Sequence, residues 1–263
     1  MTGELAARVG DATGLEPTRL GGRPIFLVWA TPDRGTRSAW LARELGIDDI
    51  RFVRSGGRGI RRAPFDYPAQ FIRTLRVLVR RRPRVVFVQS PPTYATWTVG
   101  LYSLVTRTTF VIDAHSDAFE RARWTRPAWL TRFVARRALV TIVTNEHWAA
   151  RVRSWGGVAL TIPTIPTDLV IGQPPAIKPG TNIAVVNTWA EDEPLEELLA
   201  AAEDLPEMSF LVTGRTDRVA ALGREIPSNV TFTGFLSQAA YHGLLAASDA
   251  VACLTTRDHT MQN

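Results

Sequence analysis

The runs 208–214 (MSFLVTG), 227–235 (PSNVTFTGF) and 241–254 (YHGLLAASDAVACL), together with 182–187 (NIAVVN), decide the fold. Each contains a short run rich in Val, Ile, Leu, Thr or Phe, bounded by Gly, Pro, Asn or Asp, which is the signature of a buried strand. Strands are therefore expected at 182–187, 208–213, 229–233 and 249–254, with helical patterns between them. Such alternation makes a parallel sheet covered on both faces. The first helix of this half follows Glu191-Asp192-Glu193, with Pro194 in its first turn and Leu195, Leu198 and Leu199 as its buried stripe. Cys253, the only cysteine, falls in the last strand and is expected to be buried there. Residues 255–263 (TTRDHTMQN) read as a polar loop at a strand's carboxyl end, where ligands bind in open α/β sheets.

The first half repeats the pattern. Strands are expected at 25–30, 50–54, 84–89, 109–113, 140–144 and 158–162, and helices at 38–45, 67–82, 93–105, 129–139 and 146–154. In the second helix Phe71, Ile72, Leu75, Leu78 and Val79 fall on one face. Five prolines lie in 163–179 with no periodic pattern, so 163–181 reads as a linker. The expected organisation is a flexible lead-in over 1–22, an α/β domain over 23–162, the linker, and a second α/β domain over 182–263, with a cleft between the two domains.

The 263 residues are 45% apolar, ordinary for a globular chain, and no stretch approaches the roughly 20 consecutive apolar residues that span a bilayer. A lone cysteine makes no internal disulfide, and no Cys/His spacing points to a metal site. Residues 1–162 carry 26 Arg and Lys against 12 Asp and Glu, a net +14; residues 163–263 carry 5 against 13, a net −8. The basic half suits phosphates or an anionic membrane surface. Its stretches 71–84 and 121–137 mix Arg with Trp, Phe and Leu as an interfacial helix does, although a core face backed by a basic solvent face gives the same pattern. No nucleic-acid-binding motif accompanies the charge.

Candidate functional residues cluster at strand ends. Asp113-Ala114-His115-Ser116 follows the fourth strand, and a histidine there can polarise a hydroxyl or meet a phosphate. Gly35 lies in the loop after the first strand, where a small residue lets backbone amides approach a ligand; neither G-x-G-x-x-G nor a phosphate loop is present. In the second half, Thr188 closes one strand and Gly214-Arg215 another. Arginine can hold a diphosphate by paired hydrogen bonds, or it can pair with Asp217 or Glu225. Gly234-Phe235 could bring backbone groups to a base or form a structural turn. Asp258 and His259 belong to the terminal loop.

On the runs 210–214, 227–235 and 241–254, the second half resembles the nucleotide-sugar-binding domain of GT-B glycosyltransferases of the family 4 group. The first half resembles that family's acceptor domain, whose strand-end histidine matches His115. The resemblance covers 24–263 and implies two Rossmann-like domains. It implies transfer of a sugar from a nucleotide diphosphate sugar to a glycan or lipid-linked acceptor, with retained configuration and no metal or other cofactor. Thr188, Gly214, Arg215, Gly234, Phe235, Asp258 and His259 would hold the donor. His115 would be catalytic, with Gly35, Asp113 and Ser116 on the acceptor side. A cytoplasmic place, peripheral on the inner membrane face, would suit the basic half. Two departures stand out. The family's two glutamates eight positions apart would fall beyond Asn263, so the second domain is expected to be incomplete. The usual Arg and Lys after the first donor-domain strand are replaced by 188–193 (TWAEDE). Two other function classes stay open: a non-catalytic membrane-surface or anion-binding module, and a GT-B epimerase or hydrolase of nucleotide sugars.

Overall fold

The computed structural model describes residues 24–30, 36–53, 63–163, 170–190 and 192–256. The chain divides into two compact units, Met1–Ile165 and Pro166–Asn263. The lead-in over 1–22, Gly35, Asp258 and His259 lie outside the described residues.

The first unit is built on six parallel strands: β1 (Ile25–Val28), β2 (Asp49–Phe52), β3 (Val85–Ser90), β4 (Thr109–Ala114), β5 (Val140–Val143) and β6 (Ala159–Thr161). Their order is β2-β1-β3-β4-β5-β6. Helices α1 (Thr36–Glu44), α2 (Ala63–Arg81), α3 (Thr93–Thr106), α4 (Asp117–Glu120), α5 (Ala122–Thr125), α6 (Ala128–Arg137) and α7 (Glu146–Ser154) connect them. Successive strand side chains point to opposite faces, and here both faces are buried. Ile25, Leu27, Val86, Val88, Phe110 and Ile112 pack with α2, α3, α6 and α7. Phe26, Val28, Phe87, Val111 and Ile142 pack with Trp40 and Leu41 of α1. That is why these strands read as continuous apolar runs rather than as alternations.

The second unit has four parallel strands, β7 (Thr181–Val185), β8 (Met208–Thr213), β9 (Val230–Gly234) and β10 (Ala250–Ala252), in the order β10-β7-β8-β9. It adds α8 (Leu195–Asp204), a 3-10 helix over Thr216–Leu222, and α9 (Gln238–Ala247). Leu195, Leu198 and Leu199 bury against Val185, Phe210, Val212 and Val230, as their spacing predicts. Pro194 is the N-cap of α8 rather than a first-turn residue.

Two expectations need correction. Cys253 is exposed, because β10 ends at Ala252 and the chain leaves the sheet before the cysteine; partial burial, then Glu193, raises its thiol pKa. The stripe on α2 is displaced. Ile72 and Val79 face solvent, and the fully buried line is Gln70, Thr74 and Leu78. The two polar members are buried because the sheet supplies partners: Trp29 Nε1 donates to Thr74 Oγ1 at 2.8 Å, and Gln70 Nε2 donates to the Val53 carbonyl at 3.3 Å. An apolar-only template misses polar side chains whose hydrogen bonds are met inside.

Within the second unit, residues 170–174 lie against α9. Gly172 N donates to the Ala239 carbonyl at 2.9 Å, and a Cβ on Gly243 would come within 2.2 Å of the Gly172 oxygen. Gly243→Ala is expected to destabilise the chain by about 1–3 kcal/mol through this overpacking, seen as a lowered denaturant midpoint; an unchanged midpoint would show that the contact yields freely.

Candidate active site

Asp113 is the next-to-last residue of β4. Alternation along the strand sends its side chain to the face covered by α1, and it is wholly buried. The first turn of α1 meets it there: Ser38 Oγ donates to Oδ2 at 2.8 Å and Arg37 Nε donates to Oδ1 at 3.3 Å. Arg37 Nη2 also donates to the Ile162 carbonyl just past β6, at 3.1 Å. His115 Nε2 lies 3.5 Å from Asp113 Oδ2, at the limit of a hydrogen bond, and the His115 backbone N–H is fixed on Ser90 O at 2.8 Å. Burial alone would raise the Asp113 pKa. The imidazole of His115, then the Arg37 guanidinium and the Ser38 hydroxyl, outweigh it and lower the carboxyl to about 2. The His115 side chain keeps 28% of its surface exposed. It therefore has one end on a buried carboxylate and an edge toward solvent. Ser116 Oγ lies 3.4 Å from Thr144 Oγ1, a link between the ends of β4 and β5.

In the second unit the strand ends are joined by backbone. Thr213 Oγ1 accepts from Asn187 N at 3.0 Å, and Gly214 N donates to Gly234 O at 3.1 Å. Gly214 has φ +99°, and a Cβ there would stand 2.3 Å from Asn187 O, so only glycine fits this crossing. Asn187 Oδ1 accepts from Trp189 N at 2.9 Å and holds Trp189 at φ +64°, with its ring on Phe232. Thr188 is bound from within: the Glu193 carboxylate accepts from Thr188 N at 2.7 Å, Thr188 Oγ1 at 3.0 Å and Ala190 N at 3.0 Å. β10 and β7 are the pair where the strand order reverses. Past their ends, Thr255 Oγ1 donates to Asp192 Oδ2 at 2.9 Å and Thr256 N donates to Asp192 O at 2.7 Å. Arg215 is exposed and makes a two-point pair with Asp217, at 3.1 and 2.6 Å. Phe235 is 74% exposed beyond β9.

The structure thus gathers Asp113, His115 and Ser116 at one sheet end, and Thr188, Gly214 and Gly234 at another. Sequence reading missed Arg37, Ser38 and the role of Glu193, while Asn187 beside Thr188 was read as lining the crevice at Gly214. An aspartate at the end of an apolar strand needs a cation or hydroxyls, and Arg37-Ser38 in the facing helix was the signal. Glu193 reads as a helix-dipole residue and instead turns back on the loop before its helix.

Two Rossmann-like parallel units in one chain, with polar residues at their strand carboxyl ends, define the GT-B class. The model of the glycosyl transferase 4-like domain matches residues 9–167. The chain belongs to that family of glycosyltransferases. No curated protein sequence matches it. Among solved structures, HepE of Anabaena in complex with UDP and glucose is similar at 14% identity and a TM-score of 0.58, over 89% of this chain and 75% of that one. Sucrose-phosphate synthase of Thermosynechococcus elongatus is similar at 14% identity and 0.63, over 87% and 74%. UDP-GlcNAc 2-epimerase of Neisseria meningitidis bound to UDP-GlcNAc is similar at 12% and 0.53, over 88% and 77%. At these identities the likeness is one of fold.

The Asp113 carboxyl is held below its unfolded pKa of roughly 3.9. Its contribution is therefore complete above pH ~4 and is lost as pH falls through about 2. Asp113→Asn removes the buried carboxylate that Arg37 and Ser38 both contact. It is expected to cost about 3–5 kcal/mol at neutral pH and to flatten the stability profile between pH 4 and 2, read from denaturant midpoints. An unchanged acid limb would show that another carboxylate sets it.

Proposed function

We propose that this glycosyltransferase moves a sugar from a nucleotide diphosphate sugar to a glycan or lipid-linked acceptor with retention of anomeric configuration, at an anionic membrane surface. The bond from the anomeric carbon to the diphosphate oxygen breaks and its electron pair leaves with the nucleoside diphosphate. A bond from the acceptor hydroxyl oxygen to that carbon forms, and the hydroxyl proton passes to the departing diphosphate. The observation that carries the reading is His115, fixed over the buried Asp113 at the end of β4 with its edge exposed, within the segment that matches the family. In this role His115 hydrogen-bonds the attacking hydroxyl. Asp113 touches no substrate and positions His115, and Ser116 extends the acceptor side.

On the donor side the proposed groups are Thr188, Gly214, Arg215, Gly234 and Phe235, with Asp258 and His259 from the terminal loop. Arg215 is the cation nearest to the role of diphosphate clamp, and binding would require it to exchange Asp217 for phosphate oxygens. The exposed Phe235 ring offers a stacking surface to a base. HepE and the Neisseria epimerase were solved with UDP-containing ligands, which makes UDP-sugars the first donors to try. No metal is assigned a role.

Incubation with UDP-, GDP- and dTDP-sugars and a membrane extract, followed by proton NMR of the anomeric signal, tests the reading. A glycoside with the donor's configuration is expected, unaffected by chelator. His115→Ala is expected to lower turnover roughly 10²-fold with donor affinity little changed, and Arg215→Ala to weaken donor binding. A free C2-epimerised sugar nucleotide with no acceptor product would favour the epimerase reading, and an inverted anomer would overturn retention.

A further inference from the structure

The first unit holds a predominantly apolar cavity that reaches the carboxyl end of β1. Its volume is about 400 Å³, and it opens on the outer side of α2, α3 and α6. Tyr67, Tyr94, Trp97, Leu104 and Phe133 line it, with Trp29 at the end of β1. Of its few polar groups, Trp29 Nε1 donates to Thr74 and Thr98 Oγ1 donates to the Tyr94 carbonyl at 2.7 Å, while Trp97 Nε1 is buried without a partner. The walls are fixed by ring packing, with Tyr67–Tyr94 centroids 4.7 Å apart and Tyr94–Trp97 5.0 Å apart. On the same three helices, sides that face water carry large apolar groups. Trp129 is 69% exposed and Val105 81%, and Phe65, Leu101 and Leu104 are exposed as well.

Two arginines stack on rings at this cavity, in a strongly basic segment. Residues 63–137 hold thirteen arginines, no lysine and four carboxylates. The Arg123 guanidinium stacks 4.7 Å over Trp124, whose ring packs on Tyr67 and Tyr94, and Arg137 lies 5.6 Å over Phe133. A second copy of this chain would set the same arginines against each other. A peptide would bury a backbone N–H and C=O for every residue in a cavity whose lining is almost wholly apolar, far more polar groups than the lining could meet. A hydrocarbon chain has no such groups to satisfy, and its phosphate headgroup is what arginine recognises. No helix among the described residues is long and apolar enough to cross a membrane, so contact would be interfacial.

We infer that this face docks on an anionic bilayer, the cavity seating one acyl chain of a phosphate-bearing lipid while Arg123 and Arg137 meet the headgroups. The inference deepens the membrane-surface reading above and rests on it. It names the surface of the first unit that faces the lipid.

The test uses the full chain with phosphatidylcholine vesicles with and without phosphatidylglycerol, and lipids brominated along the acyl chain. Binding to the phosphatidylglycerol vesicles is expected, with bromine quenching of tryptophan fluorescence that falls in Trp97→Phe. Leu104→Ser with Trp129→Ser, both exposed positions, is expected to weaken binding at least roughly tenfold. Arg123→Gln with Arg137→Gln is expected to weaken it and to reduce its salt dependence. Absence of vesicle binding would overturn the inference. So would binding that the serine pair leaves unchanged, or binding without bromine quenching, since either marks adsorption by arginine alone. UDP binding is the control: in the variants, weakened vesicle binding with UDP binding retained supports the inference; in the unaltered chain, UDP binding without vesicle binding sinks this inference only, and vesicle binding without UDP binding sinks the donor reading only.

Discussion

A carboxylate with no solvent exposure at the end of a buried strand must be neutralised, paired or expelled. Asp113 is paired, and the pairing organises the first unit's functional end. Its oxygens take Ser38 and Arg37 from the first turn of α1 and face the His115 imidazole, and Arg37 reaches on to the carbonyl of Ile162. Three separate pieces of chain are thus tied to one charge: the end of β4 with the histidine that follows it, the start of α1 and the residue after β6. The net energy of such a buried pair is small or even unfavourable next to an apolar core of the same volume. What it supplies is position. An apolar residue at 113 would fill the space but would leave the imidazole and α1 without a common reference.

The second unit fixes its strand ends by other means. Thr213, Asn187, Gly214 and Gly234 form a lattice of neutral, mostly backbone hydrogen bonds that needs no buried charge and instead needs a missing Cβ. Carboxylates enter at its loops: Asp192 accepts from Thr255, and Glu193 caps the N–H groups of Thr188 and Ala190. Those are donors that an anionic ligand group would use, in a loop where the related pattern has cations and this chain has an acidic run. A donor phosphate arriving here meets a loop that already satisfies itself, so its favourable contacts must come from groups that can be exchanged, such as Arg215 with its exposed Asp217 partner.

The strands were legible because both sheet faces are buried: a run such as 85–88 (VVFV) has no competing interpretation. Met208–Thr213 and Glu146–Ser154 appear with the bounds their composition predicts. Legibility fails where side chains find partners that are remote in sequence. Gln70 and Thr74 look solvent-facing until Val53 and Trp29 are placed beside them. Asp113 was visible as a strand-end acid, whereas its partners lie 75 and 76 residues away. Arg215 kept two readings in sequence, and its pair with Asp217 is only two residues distant, near enough to have been foreseen. The short helices over Asp117–Glu120 and Ala122–Thr125 have too few residues for any period to show.

The outer side of α2, α3 and α6 joins these points. A helix covering a parallel sheet needs one apolar stripe, and its other side is free to be polar. On α2 the sheet-facing line includes polar Gln70 and Thr74, while Ile72 and Val79 face outward. The polar residues turned inward are held by specific hydrogen bonds, so burial explains them. The apolar residues turned outward stay 47% and 58% exposed, so burial does not explain them. Leu101, Leu104, Val105 and Trp129 share that excess on the neighbouring helices. Scattered apolar residues on a surface need no explanation, but a rigid aromatic cavity, a set of such residues and a surplus of arginine over carboxylate on the same three helices call for a single physical environment. The phospholipid surface proposed for this face is apolar within and anionic at its boundary, and so matches both the apolar groups and the arginines.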